Sequence, residues 1–178
     1  MEEMRITIHL KCGDVLVRPL APPDSIEELT ELLHRAYAAL ARQGFRYVAS
    51  HQDSQTTRER IQNNICLVGL LQGKIVATIC YHSPQQTKGC PWYDRSDVAS
   101  FGQFGVASDL QGHGLGSRLM ELVEQRASTD GAAELALDTA EGATHLILFY
   151  EKRGYRSIGH AQWTVTNYRS VILSKRMV

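Results

Sequence analysis

The chain has 178 residues, enough for one domain with a full-sized core and short for two. Apolar residues make up 43% and charged residues 21%, an ordinary balance for a globular protein, and the 19 Lys plus Arg equal the 19 Asp plus Glu. No overall field then favours nucleic acid or an anionic membrane, and no apolar run approaches the roughly 18–20 residues that span a bilayer. The acidic start, Met1-Glu2-Glu3-Met4-Arg5, lacks the apolar stretch of a signal peptide, so a cytoplasmic setting is expected. Cys12, Cys66, Cys80 and Cys90 show no Cys-x-x-Cys spacing and the histidines are scattered, which predicts free thiols and no metal.

Residues 5–10 and 14–20 alternate polar and apolar around Cys12-Gly13-Asp14, which predicts a hairpin closed by Pro19, Pro22 and Pro23. Asp24 or Ser25 then caps a helix, with Ser25-x-x-Glu28 matching a capping box. Its apolar face (Ile26, Leu29, Leu32, Leu33, Ala36, Tyr37, Leu40) ends near Gly44. A loop over 44–54 precedes a more polar helix from about Ser54 to Asn63. Ile65–Leu71, Gln72-Gly73 and Lys74–Tyr81 form a second hairpin signal, and residues 82–96 read as a surface loop packed down by Trp92 and Tyr93.

Val98–Val106 is a strand interrupted by Gly102 and Gly105, a pattern that suggests a bulge or close backbone approach by a ligand. It feeds Gln111-Gly112-His113-Gly114-Leu115-Gly116 and then a helix to about Ala127. Alternating glycines leave the turn's amides unobstructed, and the helix start adds its dipole and free N–H groups. A polyphosphate or pyrophosphate is the natural occupant. Glu134–Asp138 is a short strand, Thr144–Lys152 a short helix ended by Gly154, and Tyr155–Ile158, Trp163–Thr166 and Tyr168–Ser174 supply the last strands. These elements predict a single domain over 1–178: a mixed α+β fold with a mostly antiparallel sheet of six to seven strands and about four helices on both faces. A dinucleotide turn is excluded, because Gly112-x-Gly114-x-Gly116 lacks the Gly-x-Gly-x-x-Gly spacing; a Walker loop is excluded because no Gly-Lys-Ser/Thr follows.

Gln111–Gly116 resembles the Arg/Gln-x-x-Gly-x-Gly/Ala signature of the GNAT superfamily, the acetyl-CoA-dependent N-acetyltransferases. Leu148-Phe149-Tyr150-Glu151-Lys152-Arg153-Gly154-Tyr155 is similar to that family's Leu-Tyr-Glu-Lys-x-Gly-Phe stretch, in the same order and at similar spacing. The resemblance implies acetyl-CoA as co-substrate, held by Gln111, Gly112, His113, Gly114, Leu115, Gly116 and Ser117, with pantetheine along Phe104, Gly105 and Val106 and against Phe149. It implies Tyr150 as the acid that protonates the departing thiolate, although an aromatic packed beside Phe149 on an amphipathic helix explains the same residue. The implied acceptor is the primary amine of a small molecule, an amino-acid derivative or a peptide, and a homodimer is expected on the same ground.

Two departures leave roles open. Ala143 stands where many relatives carry a pantetheine-binding Asn. The strand before the turn has no glutamate to act as base, only Ser100 and Gln103. Asp53, His51, Asp94, Asp97, Asp138 or a water chain could serve. A non-catalytic acyl-CoA or metabolite sensor on the same fold is the alternative these departures keep open. Phe45, Tyr47, Trp163 and Tyr168 could wall the acceptor site or simply pack.

Overall fold

The computed structural model describes residues 4–177. The beginning of the acidic N-terminal stretch, Met1 to Glu3, lies outside the described residues, as does Val178. The order is β1 (Ile6–Leu10), β2 (Gly13–Pro19), α1 (Ile26–Arg42), α2 (Ser54–Ile61), β3 (Ile65–Leu71), β4 (Lys74–His82), β5 (Val98–Val106), α3 (Leu115–Thr129), β6 (Glu134–Ala140), α4 (Thr144–Glu151), β7 (Arg156–Gln162) and β8 (Arg169–Arg176). Short 3₁₀ turns cover Val48–Ser50 and Ser108–Leu110.

One eight-stranded sheet runs β1-β2-β3-β4-β5-β6-β8-β7, one strand more than the six to seven expected. Residues 163–166, expected as a strand, are instead a turn. Thr166 N–H closes back on Trp163 O at 3.3 Å, and β7 extends through Gln162 in place of that strand. Every pairing is antiparallel except β5 with β6.

Local chemistry sets the element ends. Ser25 Oγ accepts from Glu28 N at 3.1 Å and starts α1; Asp53 accepts from Thr56 N at 2.7 Å and starts α2. Gln72 and Gly73 have φ of 51° and 80°, the paired left-handed turn that matches strand twist between β3 and β4. Leu29 and Leu32 of α1 and Ile61 of α2 pack on Cys66, Val68, Ile75 and Cys80 on one sheet face. On the other face Leu115, Leu119, Met120 and Val123 of α3 and Tyr150 of α4 join the main core.

The sheet is not continuous across its centre. β5 pairs with β6 only through Val98–Ser100 against Glu134–Ala136; beyond that the strands part. Between Cys80 and Thr78 of β4 the partner strand runs from Gly102 to Gly105, one residue too many, so β5 bulges there. Gln103 sits in the bulge with φ of 47°. The far half of β5 therefore keeps an edge with no neighbouring strand, opening into a wedge.

Candidate active site

A cavity of about 820 Å³ fills this wedge, between α1, β5, β6, the start of α3 and α4. Among the residues expected to hold coenzyme A, Phe104, Gly105, Val106, Gln111, Gly112, Gly114, Gly116, Ser117 and Phe149 line it, as does Tyr150. The glycines have different reasons. Gly112 and Gly114 have φ of 77° and 83°, a backbone that L side chains adopt at a cost, with open space where a Cβ would stand. At Gly116 a Cβ would come within 3.2 Å of Phe104 Cζ, so its small size lets α3 sit close on β5. Gly105, expected to admit a ligand, is constrained from the other face: a Cβ there would lie 3.0 Å from Ala36 Cβ of α1. Its backbone still lines the cavity.

Gly114 is the N-cap of α3, and no side chain accepts from that first turn. The helix thus offers unpaired N–H groups and its positive end to the cavity. Gln111 turns inward, its Nε2 donating to Val106 O at 3.1 Å, and ties the turn to the end of β5. Leu115 is fully buried in the core, which leaves only its backbone for a ligand. His113 is exposed, off the cavity lining, with Nδ1 2.9 Å from Gln111 O. Arg153 joins the site from α4. Its guanidinium lies 3.6 Å above the Phe149 ring and donates to Ser117 Oγ at 2.5 Å and Phe149 O at 2.9 Å. A fixed cation thus stands beside the first turn of α3.

Tyr150 projects from α4 into the middle of the wedge, 7% exposed, and its hydroxyl has no hydrogen-bond partner among the described residues. Burial, reinforced by Tyr37, Tyr47 and Asp138, pushes its pKa well above the ordinary phenol value. It stays a protonated donor at neutral pH. Ala143 is buried at the N-cap of α4 and offers no polar side chain.

The far end of the cavity is aromatic. The Tyr47 ring lies tilted 4.8 Å from Tyr168 and 5.2 Å from Tyr37, and its hydroxyl meets Thr139 Oγ1 at 2.7 Å and accepts from Ala140 N at 3.0 Å. Phe45 packs edge-on to Tyr168 at 6.1 Å. Trp163 lies against Tyr93 from the 83–97 loop, so that loop does more than cover the surface.

Among the side chains considered as base, Asp53 caps α2, Asp97 pairs with Arg95, Asp94 accepts from Gly89 N, and His51 is exposed beside Ser50. Asp138, the fifth, lines the cavity. It accepts from Tyr93 at 3.2 Å, Trp163 Nε1 at 2.8 Å and Ser170 at 2.8 Å. A carboxylate has about four acceptor positions, so one is left free.

Arg60 of α2 was not singled out by the sequence, because α2 reads as a solvated helix. It lines the cavity, and the protein around it lowers its pKa by desolvation. Gln52 Oε1 accepts from Nη1 at 3.1 Å. The Gln103 amide, with its oxygen turned toward the guanidinium, accepts from Nε at 2.7 Å and Nη2 at 3.2 Å.

Residues 26–155 match the acetyltransferase (GNAT) family. The chain belongs to that family. It is similar to S-(2-succino)cysteine N-acetyltransferase of Bacillus subtilis (strain 168), 31% identical over 138 residues that cover 76% of this chain and 81% of the relative. S-alkylcysteine N-acetyltransferase of the same organism is 25% identical over 139 residues, covering 76% of each chain. The GNAT domain of S. lividans PAT superposes with a TM-score of 0.70 at 19% identity, covering 98% of this chain and 97% of that one, a likeness of fold. The protein is an acetyl-CoA-dependent N-acetyltransferase that acts on an amine, and the sensor alternative is not favoured.

The acetyltransferase's cleft fits its co-substrate. The glycine turn, the uncapped start of α3 and Arg153 suit a pyrophosphate; the free edge of β5 suits the amide groups of a pantetheine arm. No helix among the described residues is long and apolar enough to cross a membrane, and no cluster of three or more His, Cys, Asp or Glu among them could hold a metal.

Proposed function

We propose that the acceptor is the α-amine of an S-substituted cysteine. The observation that carries this is the make-up of the far end of the cleft: one guanidinium, Arg60, and one carboxylate, Asp138, set among Tyr37, Tyr47, Trp163 and Tyr168. An amino acid presents the complementary charges, and an apolar sulfur substituent matches the aromatic wall. Similarity to two cysteine-derivative acetyltransferases supports the same substrate class. All four cysteines are free, which supports a reducing, cytoplasmic setting.

Acetyl-CoA supplies an activated acetyl group, and the residues arrange its transfer. Asp138 takes a proton from the incoming ammonium through its unused acceptor position, directly or through water, leaving a nucleophilic amine. A backbone N–H on the free edge of β5 donates to the thioester oxygen as charge builds there. As the C–S bond breaks, Tyr150 protonates the departing thiolate, and the second proton released by the acylated nitrogen returns to Tyr150 through water. Burial that raises the phenol's pKa also makes a buried thiolate more basic, so the two stay matched.

Free-thiol release with saturating acetyl-CoA tests the acceptor. S-methyl- and S-benzyl-L-cysteine should be acetylated with kcat/KM at least about tenfold above lysine, spermidine and a peptide N-terminus, a difference of about 1.4 kcal/mol. Equal or better turnover of those three would reject a cysteine-derivative acceptor.

A further inference from the structure

We propose that Arg60 is the specificity determinant that binds the α-carboxylate of the acceptor, an assignment that rests on the amino-acid reading above. A guanidinium carries five N–H donors. Three are satisfied by neutral amide oxygens: Nη1 to Gln52, and Nε and Nη2 to Gln103. That leaves one donor on each terminal nitrogen, the pair a carboxylate bridges in a two-point contact. No carboxylate lies within ion-pairing distance of Arg60 among the described residues, although eleven other pairs form elsewhere.

Arg60 is exposed to solvent through the open cavity, and a guanidinium there that only neutral amides hold keeps donors for an anion. Arg60 and Arg153 are the two cationic side chains on the cavity lining, and they belong to opposite ends. Arg153 is tied to Ser117 and Phe149 beside the glycine turn, where phosphate binds. Arg60 is tied to Gln103, in the β5 bulge beyond the pantetheine edge. One free cation at the acceptor end matches one carboxylate. The α-carboxylate is the one every S-substituted cysteine shares, so a further carboxylate on the sulfur substituent finds no second cation on the lining.

The bulge gains a purpose from this arrangement. Gln103 occupies the strand just before the pantetheine edge, and its left-handed φ of 47° aims its amide at Arg60. A non-glycine residue at such a φ is strained and persists where its surroundings hold it. The amide contacts to Arg60 do so.

The test compares S-benzyl-L-cysteine with its carboxamide in the wild type, Arg60→Gln and Arg60→Lys. Taking each variant's loss relative to wild type cancels the different basicities of the two amines. Arg60→Gln should lower kcat/KM on the free acid about 10- to 100-fold, mainly through KM, the range for a charge-assisted contact. The loss on the carboxamide should stay within about threefold, and Arg60→Lys should recover part of the free-acid activity. Equal losses on acid and amide would make Arg60 a scaffold for Gln52 and Gln103 and overturn the assignment.

If Arg60→Gln fails to fold, shown by loss of the CoA-induced thermal shift, the wild type decides. 3-(Benzylthio)propanoic acid, which keeps the carboxylate and lacks the amine, should inhibit competitively with acceptor at least about tenfold better than its amide. Equal inhibition would again overturn the assignment. If no S-substituted cysteine is acetylated, the acceptor reading fails separately. Arg60 is then judged on whichever amine the enzyme does accept: a carboxylate-bearing acceptor whose turnover falls in Arg60→Gln sustains it, and an acceptor without one removes it.

Discussion

Tyr150 enters the cleft as a hydroxyl with no partner of its own, while the other polar groups around it are already engaged. Removing that hydroxyl breaks no hydrogen bond, so Tyr150→Phe should leave the melting temperature within about 2 °C of wild type. The same change should lower kcat about 10²- to 10⁴-fold, the usual contribution of a positioned proton donor, with KM for acetyl-CoA little changed. An unchanged kcat would remove Tyr150 from the chemistry. Asp138→Asn keeps the shape but cannot take a proton, and should cost kcat by a similar factor while CoA still binds. Full activity in this variant would return the base to water. The sequence alone marks Tyr150 through the second motif, and it offers Asp138 only as one carboxylate among several. It does not single out Arg60, since a charged residue that turns from a polar helix toward a cavity leaves no periodic signal.

At the level of elements, the glycine turn and the parted strands make the cofactor cleft together. Gly114 both caps α3 and holds φ of 83°. Gly114→Ala should cost stability of about 1 kcal/mol through left-handed strain, and CoA should still raise the melting temperature. Gly114→Asp adds an anion to similar strain and should abolish that CoA-induced rise, because the carboxylate faces the pyrophosphate site. Retained CoA affinity by calorimetry in the Asp variant would displace the phosphate site from the turn. Where turn chemistry is local, the sequence reads well: Val98–Val106 and Ile65–Leu71 stand where side-chain pattern puts them, and of the two residues offered to cap α1, Asp24 and Ser25, Ser25 does so. The misread stretch, Trp163–Thr166, alternates like a strand, but Trp163 Nε1 is drawn to Asp138, and the backbone turns instead of extending. That contact spans 25 residues and no local window contains it.

Across the whole molecule, burial sets the pH range of stability. All seven tyrosines have their pKa raised, each chiefly by desolvation. Unfolded tyrosine loses its proton near pH 10, while the folded chain holds these protons to higher pH. Above about pH 10 the unfolded state binds fewer protons, so stability is complete below that pH and falls as pH rises. Each tyrosine contributes a slope of up to about 1.4 kcal/mol per pH unit. On the acid side, burial holds His82 down to about 4 against an unfolded value of about 6.5, with Nε2 buried and unpartnered. Its contribution is complete above about pH 6.5 and is lost as pH falls toward 4, about 3 kcal/mol in all. Urea midpoints should therefore fall between pH 7 and 4.5 and again between pH 10 and 11.5. A flat midpoint over either range would contradict the burial of those groups.

The sequence by itself determined most of the elements and the single mixed sheet, and it pointed to a phosphate-binding turn and, through the resemblance of its second motif, to Tyr150 as a proton donor. The elements and the turn follow from side chains a few residues apart: periodicity, capping, and glycines before a helix. Only the tertiary structure brought together the groups proposed to meet the acceptor. Parting β5 from β6 opens the wedge, and folding then brings Arg60, Gln103 and Asp138 from α2, β5 and β6 to one cavity. Those residues are scattered over nearly half the chain, and no local window of sequence contains them together.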